Sequence, residues 1–600
     1  MNTEVKNCQN CKAAFTIESE DFSFYEKIKV PPPTWCPECR MQRRISWRNE
    51  KTMYRRKCDA TGKEMFTMFH PSAPFKVYER DYWWSDAWDS AEYGREVDFS
   101  RPFLAQLREL MSEVPWYSRS VLNLVNSDYS MNCSDQKDCY LTFHSTSNER
   151  CYYGVGLGYS KDCFDGLFLN KCELSYDSFS IANCYKVFYS SRCEDCQDLW
   201  FCKDCVNCSD CVGCVGLRNK KYHIFNEPHS KEEYEKKVRD MRLGTFSGVS
   251  KVAERFRSHA LRYPNRYLSG KQNVNTSGDY IFHSKNVKDS YIMENVEDSR
   301  YCQNVILSPG AKDCYDYSFF GMNAERIYES CSVGIDSADI QFSVFIYPGA
   351  ERQRYCIMCP SSSDLFGCVG MQKKQYCILN KQYSKEEYEA LMPRVIEYMN
   401  NVPYVDFAGR IYRYGEFFPF EFSPFGYNET IAQEYHPITK EEASSSGIHW
   451  NDPVEKTHQP TLSWKELPDD IENVEEDIVK EVILCRAWDE EGSERALEHN
   501  CSMAFRIVPE ELQFYKRMNL PLPRKCFNSR HYDRTLRRNP HRLHSRACQC
   551  AGSQSERGIF KNTATHFHNT NPCPNEFETS YAPDRPEIVY CESCYQSEVA

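Results

Sequence analysis

The sequence predicts a mainly β protein: a central cysteine-laddered β-solenoid in two arrays, flanked by duplicated zinc-ribbon-like modules and closed by short capping helices. Three observations predict it. Cysteine pairs stand near both ends, a segment near the N-terminus recurs near the C-terminus, and the cysteines between residues 130 and 214 keep a fixed frame.

A length of 600 residues exceeds what one hydrophobic core supports, so several units are expected. The chain carries 33 cysteines, and residues 1–12 hold charges where a secretion signal needs an apolar run. The longest apolar stretches, such as residues 479–484, fall far short of the roughly 20 residues a bilayer-crossing helix needs. A cytoplasmic protein without a membrane partner is expected. In a reducing compartment, paired cysteines mark metal sites more often than disulfides.

Cys8-x2-Cys11 and Cys36-x2-Cys39 have 24 residues between them, the spacing at which two short knuckles deliver four thiolates to one tetrahedral zinc. Four thiolates leave no open position, so the site is structural rather than catalytic. Residues 14–58 recur without a gap 490 positions later, as residues 504–548. Phe24-Tyr25 matches Phe514-Tyr515, Cys36 matches Cys526, Arg48-Asn49 matches Arg538-Asn539, and Cys58 matches Cys548. In the second copy Glu498 and Ser529 replace Cys8 and Cys39, so that site is expected to be empty. Conversely, Cys591 and Cys594 correspond to Glu79 and Tyr82 of the first copy. An ancestral two-metal module that kept one site in each copy gives about two Zn2+ per chain. The second set is read as Cys548 or Cys550 with Cys573, Cys591 and Cys594, with His566 and His568 as substitutes for one ligand.

After each knuckle comes a basic stretch. Residues 40–57 hold eight basic residues against one acidic, and residues 524–546 hold the same ratio. Arg40, Arg43, Arg44, Arg48, Arg55 and Arg56, with Arg530, Arg534, Arg537 and Arg538, are candidates to line the phosphates of RNA or single-stranded DNA, with aromatic residues between them to stack on bases. The competing reading is a basic helix that pairs with the protein's own acidic surface. The formal net charge of −12 argues against a uniformly nucleic-acid-coating surface, though charge is segregated along the chain.

All thirteen cysteines from Cys133 to Cys214 fall in one frame of three, and the empty places of that frame hold residues such as Gly154, Leu157, Leu169, Ile181 and Leu199. That frame is read as facing inward, its polar and aromatic neighbours outward. A period of three suits neither an extended strand nor an α-helix, so short strands broken by frequent turns are expected. Cys151, Cys172, Cys193 and Cys214 are 21 residues apart, which predicts a 21-residue coil stacked at about 4.8 Å. A second array repeats the pattern, with the column Cys314, Ile335, Cys356, Cys377. Isoleucine in that column marks a packing slot rather than a ligand. The dense run from Cys193 to Cys214 admits the opposite reading, a zinc, copper or iron–sulfur site.

Ser230 with Glu233 and Ser384 with Glu387 form capping boxes that start helices able to close the last coil of each array. The helical pattern Phe103, Leu107, Leu110, Val114 is expected to do the same at the first coil. Residues 444–447 read as a serine linker, residues 469–481 as an acidic stretch able to meet the basic segments, and Trp83, Trp84 and Trp88 as core. The expected order is a zinc-ribbon-like module over 1–97, a capping helix over 98–118, the first array over 119–229, a helical connector over 230–262 and the second array over 263–383. A capping helix over 384–401, an aromatic connector and acidic linker over 402–480 and a zinc-binding module over 481–600 complete it.

The run from Phe24 to Cys39, Trp83-Trp84-Ser85-Asp86, the cysteine arrays and the run from Ser423 to Tyr435 together resemble a family of uncharacterised cysteine-rich, zinc-ribbon-bearing proteins of candidate-phyla bacteria. The resemblance spans essentially the whole chain and brings no established activity. It implies a CxxC pair just before the tryptophans, where this chain has Glu79 and Tyr82. The function expected is a zinc-binding scaffold or interaction protein with protein partners on the solenoid faces. The alternatives are a β-helix enzyme acting on a carbohydrate and a thiol-rich redox or metal-storage protein. Asp135, Asp165 and Asp177 form no carboxylate pair identifiable for glycoside hydrolysis.

Overall fold

The computed structural model describes residues 3–305, 311–318, 326–452, 459–550 and 560–599. The chain folds into two compact units. One comprises Met1–Ser120, Leu268–Asp452 and His541–Leu543; the other comprises Val121–Tyr267, Pro453–Pro540 and His544–Ala600. Each unit therefore joins one terminal module to one solenoid array, and the pairing is crossed: the N-terminal module packs on the second array, the C-terminal module on the first.

The arrays are β-solenoids of parallel strands, and the inward frame is as expected. Cys139, Cys151, Cys163, Leu169, Cys184, Val187, Leu199, Cys205 and Cys214 all lie in one core and are at most 2% exposed. The coil, however, has 12 residues, not 21. Val155 pairs with Leu167 and Leu167 with Phe179, each 12 positions on. Three residues make one side, so four sides make a coil. The 21-residue spacing is one coil plus three sides: the Cys163 thiol donates to the Lys161 carbonyl at 3.3 Å and to the Cys172 carbonyl, nine residues on, at 3.4 Å.

The period of three has a backbone cause. The residue before each inward position turns the corner in the left-handed region: Asp138 at φ 54°, Asp162 at 50°, Asn183 at 52° and Asp204 at 58°. This conformation costs a non-glycine residue about 1–2 kcal/mol, least for Asn and Asp. The recurring Asx-Cys dipeptides, as in Asp138-Cys139 and Asn207-Cys208, are thus a corner followed by a core residue.

In the second array the register is 12 from Glu351 to Ser363 but 13 from Cys331 to Val344 and 15 from Val296 to Ala311. Those insertions break the 21-residue column. Ile335 is a half-buried corner at φ 50°, and Val333 is the neighbouring residue that fills the core. The substitution read from that column is therefore not one.

Both arrays end in an antiparallel return, His223 against Pro228 and Cys377 against Gln382. Helices Lys231–Asp240 and Lys385–Asn401 follow, each opened by its serine capping box. Tyr234, Val249 and Val252 pack on Val212, Ile224 and Phe225 of the last coil, which hides apolar surface that an open end would expose. The helix Phe103–Glu113 closes a different coil from the one expected: Phe103 packs on Phe366 near the end of the second array, 5.3 Å between ring centroids. The serines at 444 and 445 close a short helix, Lys440–Ser445, rather than forming a linker. Trp83 is core, fully buried, with its indole N–H donating to the Pro115 carbonyl at 3.0 Å.

The corner geometry is testable at Asp195, φ 54° and exposed. Asp195→Val should lower the thermal midpoint of its unit, at a cost of about 1–2 kcal/mol, and Asp195→Gly should cost less.

Candidate metal centres

Among the described residues, four sets of donors have all their ligand atoms within 4.8 Å of one another, and none of the four draws on the solenoid thiols. They are Cys8, Cys11, Cys36 and Cys39; Cys548, Cys573, Cys591 and Cys594; Cys550, His568, Cys573 and Cys594; and Cys485, Cys501 and Cys526. A tetrahedral zinc with bonds of about 2.3 Å sets its sulfurs about 3.8 Å apart. Cys11 and Cys36 lie at 3.8 Å, Cys573 and Cys591 at 3.9 Å, Cys573 and Cys594 at 3.7 Å, and Cys501 and Cys526 at 3.7 Å. These separations match the edge of a tetrahedral thiolate site and lie far beyond the roughly 2.05 Å of a disulfide, and all 33 cysteines are free.

The first set sits where two local structures meet. Strands Glu4–Asn7 and Ala14–Ile17 form a hairpin whose turn carries Cys8 and Cys11. Cys36 is the N-cap of helix Pro37–Ile45, and Cys39 lies in its first turn; Pro37 at the first helical position favours that start. The Asn10 amide donates to the Cys39 sulfur at 3.3 Å, and hydrogen bonds from Cys36 and Cys39 pull the Cys8 thiol well below its ordinary value.

In the second copy of this set the sequence leaves two donors, Cys501 and Cys526, and the structure adds a third, Cys485. Leu484 pairs with Ala504 as Asn7 pairs with Ala14, so Cys485 takes the place of Cys8. Two short helices, Arg486–Glu491 and Ser493–Glu498, fill the insertion between Cys485 and Cys501. A gapless comparison puts Glu498 opposite Cys8 because the insertion lies between the ligands. Ser529 holds the fourth position, its hydroxyl 3.3 Å from the Cys526 sulfur and 3.1 Å from His499 Nε2. The complementary relic survives in the first module, where the Glu79 N–H donates to Cys58 at 3.2 Å just as the Cys591 N–H donates to Cys548 at 3.2 Å.

In the C-terminal module both Cys548 and Cys550 are donors, and His568 rather than His566 joins them. His566 instead pairs with the buried Glu598 at 2.8 Å.

The predicted nucleic-acid residues have another role. Arg40 Nε donates to Asp316 at 2.6 Å, Arg43 to Glu329 at 2.8 Å and Arg44 to Asp316 at 3.5 Å, all with side chains at most 1% exposed. In the other unit Arg530 and Arg534 each bind Asp165 at 3.0 Å, and Arg534 and Arg537 bind Asp177. Arg48 is buried against Glu50 and Ser332, and Arg538 is 9% exposed. The expectation that this set lines phosphates is corrected for Arg40, Arg43, Arg44, Arg48, Arg530 and Arg534, because a buried guanidinium already paired with a carboxylate has no face left for one. Of the remainder, Arg56 pairs with Asp59 and Arg55 lies over the Phe66 ring. The basic helices meet the carboxylates of the solenoid corners; the acidic stretch pairs with Lys516 and Arg242 and, of the basic segments, attracts Arg524 through Asp469.

Burial opposes the Arg40 and Arg530 charges, yet Asp316 and Asp165 respectively hold both pKa values well above the ordinary one. Burial also raises Glu329, against the pull of Arg43 and Arg44. In the solenoid, burial pushes the Cys133 thiol up to about 12 and Cys302, Cys356 and Cys368 well above their usual range, the behaviour of protonated packing groups. Cys139, Cys205 and Cys214 differ, lowered by hydrogen bonds from neighbouring thiols, Cys151, Cys193 and Cys202 respectively being the strongest.

No match was found among protein-family models or among curated proteins.

Two outcomes follow from this geometry. Asp316→Asn should cost about 3–5 kcal/mol, seen as a lower unfolding midpoint, without changing metal content, because it strands buried arginines. Ser529→Cys should complete a four-thiolate set and slow metal loss to a chelator, followed with a colorimetric indicator.

Proposed function

We propose that this protein is a zinc-stabilised scaffold in which thiolate-bound metal fixes an arginine helix against each β-solenoid. The observation that carries this reading is that donor set and ion-pair ladder share one helix, twice. Cys36 caps, and Cys39 opens, the helix that carries Arg40, Arg43 and Arg44; Cys526 caps the helix that carries Arg530 and Arg534. Zinc suits four-donor all-cysteine and Cys3His sets, which leave no open position, and three thiolates of the Cys526 set offer it three of four bonds; in each it would supply folding energy rather than chemistry.

The two modules would keep the solenoids rigid and leave their repeated outer residues to engage protein partners. The outward aspartates, in which the sequence offers no carboxylate pair for glycoside hydrolysis, have partners within the protein: Asp165 and Asp177 receive arginines, and Asp135 accepts from Asn123 at 2.8 Å.

Protein purified without added metal should carry zinc by elemental analysis. Cys36→Ser should remove about one equivalent and raise hydrogen exchange across residues 37–48 while exchange in the solenoid cores stays slow. Metal-free protein with an unchanged, protected arginine helix would refute the reading.

A further inference from the structure

The C-terminal donors form two tetrahedral sets that share an edge. Cys548, Cys573, Cys591 and Cys594 make one; Cys550, His568, Cys573 and Cys594 make the other. We propose that this module holds two zinc ions bridged by the thiolates of Cys573 and Cys594, with Cys548 and Cys591 terminal on one ion and Cys550 and His568 terminal on the other. The proposal rests on the reading that these sets bind metal, and adds the nuclearity of one site.

Three observations carry it. The shared pair, Cys573 and Cys594, is 3.7 Å apart, as a common edge requires. On the second ion's side, Cys550 and Cys594 are 3.6 Å apart, and His568 Nε2 lies 3.3 Å from each of their sulfurs. The tautomer of His568 is set from outside: its Nδ1 lies 2.7 Å from the Asn571 carbonyl, which can only accept, so Nδ1 bears the proton and the Nε2 lone pair faces the thiolates. An imidazole held in this way is the usual arrangement of a metal-bound histidine.

A single ion does not account for the set. One zinc at Cys548, Cys573, Cys591 and Cys594 leaves Cys550, fully buried, and His568, 9% exposed, converging on an empty point. One zinc on the other four leaves Cys548 and Cys591, 6% and 4% exposed, in the same position.

The test uses the full chain. Wild-type protein and the Cys550→Ser/His568→Ala double variant are compared for zinc by elemental analysis, and cadmium-substituted wild type is examined by cadmium NMR. The double variant should lose about one equivalent and keep the other C-terminal ion. The wild-type spectrum should contain two resonances coupled to each other through the bridging sulfurs, and Cys8→Ser should leave that pair intact while removing a separate, uncoupled resonance. Equal zinc in wild type and double variant, or a bound C-terminal cadmium with no coupling partner, would overturn the binuclear assignment. The first observation needs a folded variant; the second is made on wild type. Absence of any metal from the chain would instead overturn the reading on which the proposal rests, and the proposal with it.

Discussion

A three-residue side closed by a left-handed corner is the constraint from which the rest of this protein follows. It places one residue in three inside, where thiols and aliphatic groups stack along the solenoid. It also repeats each corner once per 12-residue coil, so that corner side chains form rows at the strand spacing of about 4.8 Å. Asp165 and Asp177 are successive corners of one row, at φ 54° and 45°; Asp316 and Glu329, at 53° and 42°, are their counterparts. Arg40 and Arg43, three apart on their helix and separated by about 4.5 Å of rise, meet the successive carboxylates Asp316 and Glu329, while Arg534 alone reaches both Asp165 and Asp177. The backbone constraint thus creates both the core and the docking row.

The two docking rows are copies of each other. Phe24 stacks on Tyr315 at 3.8 Å and Phe514 on Phe164 at 4.0 Å, while Tyr25 meets Tyr328 at 5.4 Å and Tyr515 meets Tyr176 at 5.5 Å. Arg40 lies over Tyr301 as Arg530 lies over Tyr153. What was duplicated is therefore module and solenoid together. The chain order then gives a crossed arrangement, each terminal module returning to the array farther from it in sequence. Ion pairs this deeply buried add specificity more readily than net stability, and a ladder of carboxylates matched to a ladder of arginines is a device for fixing register.

The cysteine sets belong to the same design. Each module needs its arginine helix to start at a defined point and angle, and a cysteine at the N-cap tied to a hairpin turn provides that. The copies then diverged in which ligands they kept, and at Cys485 in how far apart along the chain those ligands lie.

The sequence by itself determined the inward frame, the knuckle Cys8, Cys11, Cys36 and Cys39, the capping helices and the duplicated modules, because each is a local pattern: a period, a short spacing, a capping box, a gapless match. The Asx-Cys dipeptides also carried the left-handed corner, and with it a three-residue side. Coil length was legible as well, though 12 and 21 both keep a frame of three: from Cys133 to Cys214 seven cysteine pairs stand 12 apart against five that stand 21 apart, and Tyr140, Tyr152, Phe164, Tyr176, Phe188 and Trp200 repeat the 12; what settled it was the strand pairing of the tertiary structure. The tertiary structure alone decided that Cys485 replaces Cys8 across an insertion, that His568 and not His566 faces the thiolates, and that the arginines are internal. Those outcomes depend on which distant segments lie against each other, and the burial that turns a basic stretch into an ion-pair ladder exists only once module and solenoid have met.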